Sequence, residues 1–220
     1  MASQHEPGDS DSGVGADAGR LARQLAFLLE ADRLKQVERQ TAIIGGSRRE
    51  NTAEHFWHLG LFALVLAEHA DEPVDMARVV AMVLVHDLVE IDAGDTFAYD
   101  ETGYETKAAR EQAAADRLFG LLPDGQGGQL RALWEEHEAA VTADARFANA
   151  LDRLQPVLLN HAAGTDAPWV RHGITYEQIV RRNAVIADGS QALWAEAHDR
   201  IAEAVREGWV ANDGAGPAPG

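Results

Sequence analysis

The stretch VLVHDLVEIDAGDT, Val83 to Thr96, sets a histidine and an aspartate side by side (His86, Asp87), follows them with Glu90 and ends in an acidic turn that holds Asp95. The run is otherwise apolar and helix-like, and an ionised carboxylate is expensive to bury unless something positive meets it. Read as helix, it places Glu90 about one turn after His86 and Asp87, on their side. The two neighbours point about 100° apart, yet both can lean toward one cation near a helix end. Two more histidines, His55 and His58, lie in HFWHLGLFALVLAEH, and Asp152 lies in ANALDRLQP. Imidazole and carboxylate ligands suit a single Mn, Fe, Co, Ni or Zn ion. Spacing alone leaves a second account open, with histidines packed on apolar helices, Asp152 paired to Arg153 or Arg146, and Glu90 solvated at a helix end.

The elements that must position these groups are helical almost throughout. Helical spacing predicts segments over roughly Arg20 to Val37, Asn51 or Thr52 to Ala70, Asp75 to Ile91, Tyr104 to Leu121, Gly128 to Ala139, Thr142 to Ala162, Thr175 to Ala187 and Ser190 to Glu207. Leu21, Leu25, Leu28 and Leu29 form an apolar stripe on the first, and Pro156, which removes one intrahelical bond, is expected to kink the sixth. Between the first two, RQTAIIGGSRREN reads as a polar, glycine-containing loop. No period-2 strand run or internal repeat is legible, so the expected fold is all-α, one helical domain over residues 19–210. The Gly, Ser and Asp-rich residues 1–18 and the Gly, Pro and Ala-rich residues 211–220 are expected to be disordered tails.

Composition narrows the function classes. The 220 residues carry a formal net charge of −17, which opposes the counterion release that drives binding to long nucleic acids. A small anionic substrate stays compatible if cations gather locally. There is no cysteine, so any metal must be held by nitrogen and oxygen. No apolar run reaches the length of a membrane span, and the first residues lack a secretory signal; the expected setting is cytoplasmic.

The order His55, His86-Asp87, Asp152, with the words RRENTAEHFWHLGLFALVLA, VHDLVEIDAGDT, KAAREQAA and ALDRLQPVLLN, resembles the HD-domain metal-dependent phosphohydrolase superfamily, in the branch of the bacterial 5′-deoxynucleotidases. The resemblance spans roughly Leu21 to Trp209. It implies an all-α domain that holds one divalent metal by His55, His86, Asp87 and Asp152. It implies that Glu90 handles a proton for the attacking water, and that Asp95 holds the substrate sugar or assists that water. It sets Arg39 and Arg48 on phosphate-binding positions, with Arg49 a neighbour that has no clear match. The substrate it implies is a nucleoside 5′-monophosphate or a related small phosphate. One departure stands out: those deoxynucleotidases carry tryptophan after the phosphate-contacting arginine, where it helps exclude a ribose 2′-hydroxyl, and Gln40 stands there in this chain.

Dinuclear members of the superfamily insert further histidines between the His-Asp pair and the last aspartate. Only His137 lies in that interval, which favours one metal over the di-iron oxygenase alternative. A non-catalytic nucleotide- or metal-binding regulator is the alternative from another class, disfavoured by the presence of Glu90. His69, His161, His172 and His198 are expected to be structural or exposed, and His58 to stand one turn from His55. Relatives in this branch are commonly dimers, and a homodimer is expected; Trp169, Trp194 and Trp209 mark a C-terminal stretch that could supply the interface, although such side chains are more often core.

Overall fold

A computed structural model describes residues 12–46 and 48–212, the side chains of 12–16, Glu101 and Tyr104 excepted. It is a helical domain. In chain order the elements are α1 (Ser12–Ala31), β1 (Glu38–Ala42), β2 (Arg49–Asn51), α2 (Thr52–Leu66), α3 (Met76–Val83), α4 (Glu90–Ala93), α5 (Glu101–Gly120), α6 (Gln126–Ala139), α7 (Ala143–Ala163), α8 (Pro168–Arg171), α9 (Tyr176–Asn183) and α10 (Gln191–Arg206). Short 3-10 turns join several of them. The all-α expectation holds, with one small sheet added.

Helix starts follow their caps. Asn51 accepts from the Glu54 N–H while the Glu54 side chain accepts from the Asn51 N–H, a reciprocal pair that fixes where α2 begins. Thr175 and Gln178 form the same reciprocal pair at the start of α9, and the Thr142 hydroxyl caps α7 by accepting from the Ala145 N–H. The α7 helix is the central one: Phe147, Ala150, Leu151 and Leu154 are fully or nearly fully buried along it, among residues of α2, α3, α9 and α10. A second cluster joins Phe27 of α1, Phe56 of α2, Val85, Leu88 and the apolar face of α5. The residues of interest lie between these two cores.

Four sequence expectations need correction. The polar loop before α2 is an antiparallel hairpin, pairing Glu38 with Asn51 and Ala42 with Arg49 across an irregular register. Gly45 and Gly46 turn it with φ of 92° and 67°, which residues with a Cβ rarely adopt. The strands are too short to show alternation. The third helix does not run unbroken to Ile91. After Val83 the bonds switch to the tighter pattern, Leu88 N–H to Val85 O, Glu90 N–H to Asp87 O and Ile91 N–H to Leu88 O. In that pattern residues three apart eclipse, which brings Asp87 and Glu90 to one side. The first helix begins at Ser12, inside the span expected to be tail, and ends at Ala31. Ala211 accepts from the Tyr176 N–H, so order reaches past residue 210; residues 1–11 and 213–220, the rest of the expected tails, lie outside the described residues. Trp169 is buried, and Trp194 and Trp209 pack against the larger core, the commoner place for such side chains.

Candidate metal centre

Three elements bring four ligand atoms together: α2 supplies His55, the turn after α3 supplies His86 and Asp87, and α7 supplies Asp152. One ligand atom from each lies within 4.8 Å of all the others, and among the described residues this is the one such group of three or more. His55 Nε2 is 3.0 Å from Asp152 Oδ1, while His86 Nε2 is 3.1 Å from Asp87 Oδ2 and 3.5 Å from Asp152 Oδ1. His55 and His86 are buried, and Asp152 nearly so.

The far side of each ring says what the near side must be. Gln155 donates from Nε2 to Glu50 Oε2 at 3.0 Å, so its Oε1, 3.2 Å from His55 Nδ1, is the acceptor and His55 Nδ1 carries the hydrogen. His86 Nδ1 donates to Val83 O at 3.1 Å. Both imidazoles thereby aim Nε2 at the two aspartates, and the buried His86 Nε2 makes a hydrogen bond to neither. Acceptors facing acceptors at this range repel unless a cation sits among them. The residues fit a divalent metal.

The electrostatics agree. Burial, with Arg39 nearby, drives His55 down to about 4, so it is neutral and ready to donate a lone pair. Burial also pulls on His86, but Asp87 and Asp152 outweigh it and push that ring up to about 10. Burial works against the charge of Asp87 and of Asp152, yet His86 holds the first, and Arg153, His55 and His86 hold the second, well below the usual carboxylate range.

A cavity of about 290 Å³ opens above this group. Of the residues singled out in the sequence, Arg39, Gln40, His86, Asp87, Glu90, Asp95 and Asp152 line it. Glu90 is buried and accepts from the Thr52 hydroxyl at 2.9 Å; burial first, and the charge of Asp87 next, raise it well above its ordinary value. Asp95 is raised for the same two reasons, against the pull of Arg39. Arg39 spans the site, with Nη1 2.9 Å from Asp87 Oδ2 and Nε 3.5 Å from Glu50 Oε1.

Other residues do not come to the cavity. Arg48 is exposed and forks onto Glu54, Nη1 to Oε2 at 2.7 Å and Nη2 to Oε1 at 2.6 Å, which ties it to the α2 cap and away from any phosphate. Arg49 is exposed on β2. His58 meets Gln155 at 3.4 Å and does not join the ligand group. His69 and His172 are exposed, His161 pairs with Glu203 and His198 with the Tyr176 hydroxyl.

Other groups at the site were given no role in it from the sequence, His137 having entered only in the metal count and Trp169 only as a C-terminal tryptophan. Glu50 and Gln155 orient His55; Gln155 stands three residues after Asp152, one turn along α7, a spacing that could have flagged it. Lys107, in the quoted word KAAREQAA, lines the cavity and bonds to Glu111 at 2.8 Å. His137 lies 4.7 Å from the His86 ring, buried, with neither nitrogen hydrogen-bonded. Phe97, Tyr99, Trp169 and Arg182 form another part of the lining.

Comparison with known proteins agrees with this geometry. The chain is 34% identical over 151 residues to the 5′-deoxynucleotidase HDDC2 of Bos taurus, covering 68% of this chain and 72% of that protein. It is 32% identical to the human protein of the same name, covering 64% and 69%. A crystal structure from Magnetospirillum magnetotacticum MS-1, described as a predicted metal-dependent phosphohydrolase, superposes with a TM-score of 0.84 at 51% identity, over 87% of this chain and 96% of that one. A Pyrococcus furiosus protein of 19% identity shares the fold, with a TM-score of 0.59. The HD domain family model matches residues 31–194, a span that holds His55, the His86-Asp87 turn and Asp152, and the chain belongs to that family.

Proposed function

We propose that this protein is a metal-dependent phosphomonoesterase that hydrolyses nucleoside 5′-monophosphates. The observation that carries the reading is the convergence of two imidazole Nε2 atoms and two carboxylates on one point at the edge of a cavity that also holds Arg39 and Lys107. Relatives named 5′-deoxynucleotidase supply the substrate class.

His55, His86, Asp87 and Asp152 would hold one divalent ion, chosen from Mn, Co, Fe, Ni and Zn by the nitrogen and oxygen ligand set. When bound, such an ion polarises a phosphoryl oxygen and makes water more acidic. The chain does the rest. Arg39 offers a planar fork to phosphate oxygens and is held in place by Asp87 and Glu50. Glu90, fixed by Thr52, takes a proton from the water that attacks phosphorus. Asp95 accepts from a sugar hydroxyl or steadies that water. Gln40, on β1 beside Arg39, faces the sugar with an amide where a bulkier ring would crowd a 2′-hydroxyl. Arg48, exposed and engaged by Glu54, has no part in this scheme.

A cytoplasmic setting and a homodimer are part of this proposal, and the formal net charge of −17 argues against a nucleic-acid partner. Phosphate release from a panel of ribo- and deoxyribonucleoside monophosphates, with each metal added to chelated protein, tests the function. Release from several nucleotides with one metal per chain is expected. Metal binding without release from any of them would overturn the enzymatic reading.

A further inference from the structure

The cavity is longer than the metal centre needs. Along α7 its lining runs from Asn149 through Asp152 to Asn160, so at about 1.5 Å per residue it reaches roughly 4.5 Å from Asp152 one way and about 12 Å the other. At the short end Asn149 donates to His137 O at 2.8 Å, and Glu138 and Lys107 stand beside them. That end reaches no farther than a phosphate would. A second wall follows the long end, since every residue from Asp95 to Tyr99 lines the cavity. It starts at the carboxylate assigned to the sugar and leads to an aromatic end with Tyr99, Trp169 and Arg182. That end is held in place: Asn160 donates to Pro156 O at 2.8 Å and accepts from the Trp169 N–H, and Asn183 donates to Ile179 O. Burial raises the Tyr99 phenol, and the charge of Arg182 beside it pulls the other way.

We propose that this far end is a base-binding subsite, and that Arg182 makes it prefer bases with a carbonyl oxygen at the position farthest from the sugar: guanine, thymine and uracil. The inference rests on the reading above that the substrate is a nucleoside 5′-monophosphate. With the phosphate at the metal and the sugar at Asp95, the base extends along the long end. The aromatic side chains give it a flat apolar surface that any base can use. Selectivity falls to Arg182. A guanidinium has five N–H donors and no acceptor, so it serves several partners at once and never accepts. Guanine meets it with O6 and N7, and thymine and uracil with O4, whereas adenine and cytosine set an amino group there, donor against donor. The Tyr99 hydroxyl can donate or accept and so does not decide between the two classes.

A second phosphate fits this end less well. Arg153, the next cation of the lining, is drawn to Asp152 at 3.7 Å, toward the metal group. Past Pro156 the lining then offers Arg182 as its one cation among the described residues, amid aromatic and amide side chains. Phosphate sites gather several charged donors, whereas one arginine over an aromatic floor suits a neutral, flat ligand.

Calorimetric titration of the metal-loaded Glu90→Gln variant reads this subsite apart from turnover. The 5′-monophosphates of deoxyguanosine and thymidine should bind about tenfold tighter than those of deoxyadenosine and deoxycytidine, the scale of one well-placed arginine-to-base contact. All four should bind tighter than deoxyribose 5-phosphate, which has no base. Adding Arg182→Gln should erase the difference between the two pairs and leave the affinity for deoxyribose 5-phosphate unchanged. Adding Tyr99→Phe, which keeps the ring, should preserve the difference. Equal affinities for the four nucleotides, or a preference that survives Arg182→Gln or is lost in Tyr99→Phe, overturn the assignment. So does a deoxynucleoside 3′,5′-bisphosphate that binds about tenfold tighter than its 5′-monophosphate through Arg182, which would make this end a second phosphate site. Phosphate release by the unmodified protein separates this inference from the function it rests on. Release from all four nucleotides and from deoxyribose 5-phosphate at equal kcat/KM overturns the subsite and keeps the phosphomonoesterase. The binding preference without release from any nucleotide overturns the phosphomonoesterase and keeps the subsite.

Discussion

The ion pairs on the surface and the charges around the metal centre obey opposite rules. Arg117 joins Asp92 and Glu30, Arg131 joins Asp116 and Glu135, and Arg78 joins Glu136 and Asp144, each cation meeting its acids in water-exposed positions. At the centre, Asp87, Glu90, Asp95 and Asp152 crowd together with Arg39 and two histidines, and Arg39 Nε, Glu50 Oε1 and His86 Nε2 are buried without a hydrogen bond. Exposed pairs are solvated whether or not they form, so they are worth little. Buried like charges must be compensated, so their arrangement reports what is meant to sit among them. The surface pairs organise the outside of a fold; the centre is built around an ion.

The most direct way to break that contrast is to remove a ligand. Asp152→Ala takes away the one carboxylate that faces both His55 and His86. Metal content measured by elemental analysis should fall to background and phosphate release by at least about 10³, because the positioned cation is lost with the ligand. Thermal stability should stop responding to added metal, which at a hundredfold excess over its dissociation constant is worth about 2.7 kcal/mol to the intact protein. Retention of one ion per chain would remove Asp152 from the ligand set.

Glu90→Gln is the next largest expected effect and sharpens the division inside the centre itself. The amide keeps the size and can still accept from Thr52, but it cannot take a proton. Metal content should stay near one per chain while kcat falls by about 10²–10⁴, the range for a positioned base. Parallel loss of metal and activity would show Glu90 acting as a ligand.

How far these roles were legible beforehand differs from residue to residue. Eight helical segments were expected where ten α-helices form among the described residues, the short α4 and α8 being too brief to show a period, but the starts of α2 and α7 could be read from local patterns and the four residues of the ligand group from the words that carry the family resemblance. The turn that carries His86 and Asp87 could not be. Nothing in VLVHDLVE is a glycine or a proline, and the switch to tighter bonds becomes visible only when the helix packs between α2 and α5. The hairpin was hidden by the brevity of its strands, and with it the inward position of Glu50. Arg48 and Arg39 sit in similar basic surroundings in the sequence. Which of them turns inward depended on Glu54, whose carboxylate caps α2 and holds Arg48 outside.

The third prediction probes Gln40, which lines the cavity next to Arg39. An amide is small, flexible and able to hydrogen-bond, so kcat/KM for ribo and deoxyribo substrates should differ by less than about tenfold, or ~1.4 kcal/mol. Gln40→Trp should favour the deoxy substrate, chiefly by weakening the ribo one, since exclusion works by clash. Ile44 cannot serve as a substitute wall, being 73% exposed at the hairpin turn. A deoxy preference above about a hundredfold in the unmodified protein would instead point to Thr41, the neighbouring lining residue on β1.

The smallest effect belongs to the surface, and it is the sharpest test of whether the two regions are separate. Arg78 stands near the start of α3 and bridges Glu136 of α6 to Asp144 of α7. These elements carry, within a few residues, the His86-Asp87 turn, His137 and Asp152. If the bridge is an ordinary exposed pair, Arg78→Ala should cost no more than about 1 kcal/mol, with 0.2–1 the usual range. That corresponds to a fall in Tm of roughly 2–4 °C for a chain of this size. Raising the salt should narrow the gap between variant and parent, because exposed pairs are screened. Metal content and kcat/KM should not change, since His86 is fixed by Val83 O and Asp152 by packing along α7, neither through Arg78. A drop beyond about 8 °C, or a variant that loses metal, would mean that the outer ion pairs hold α3, α6 and α7 at the spacing the ligands need, and the contrast between a dispensable surface and a built centre would fail at this corner of the molecule.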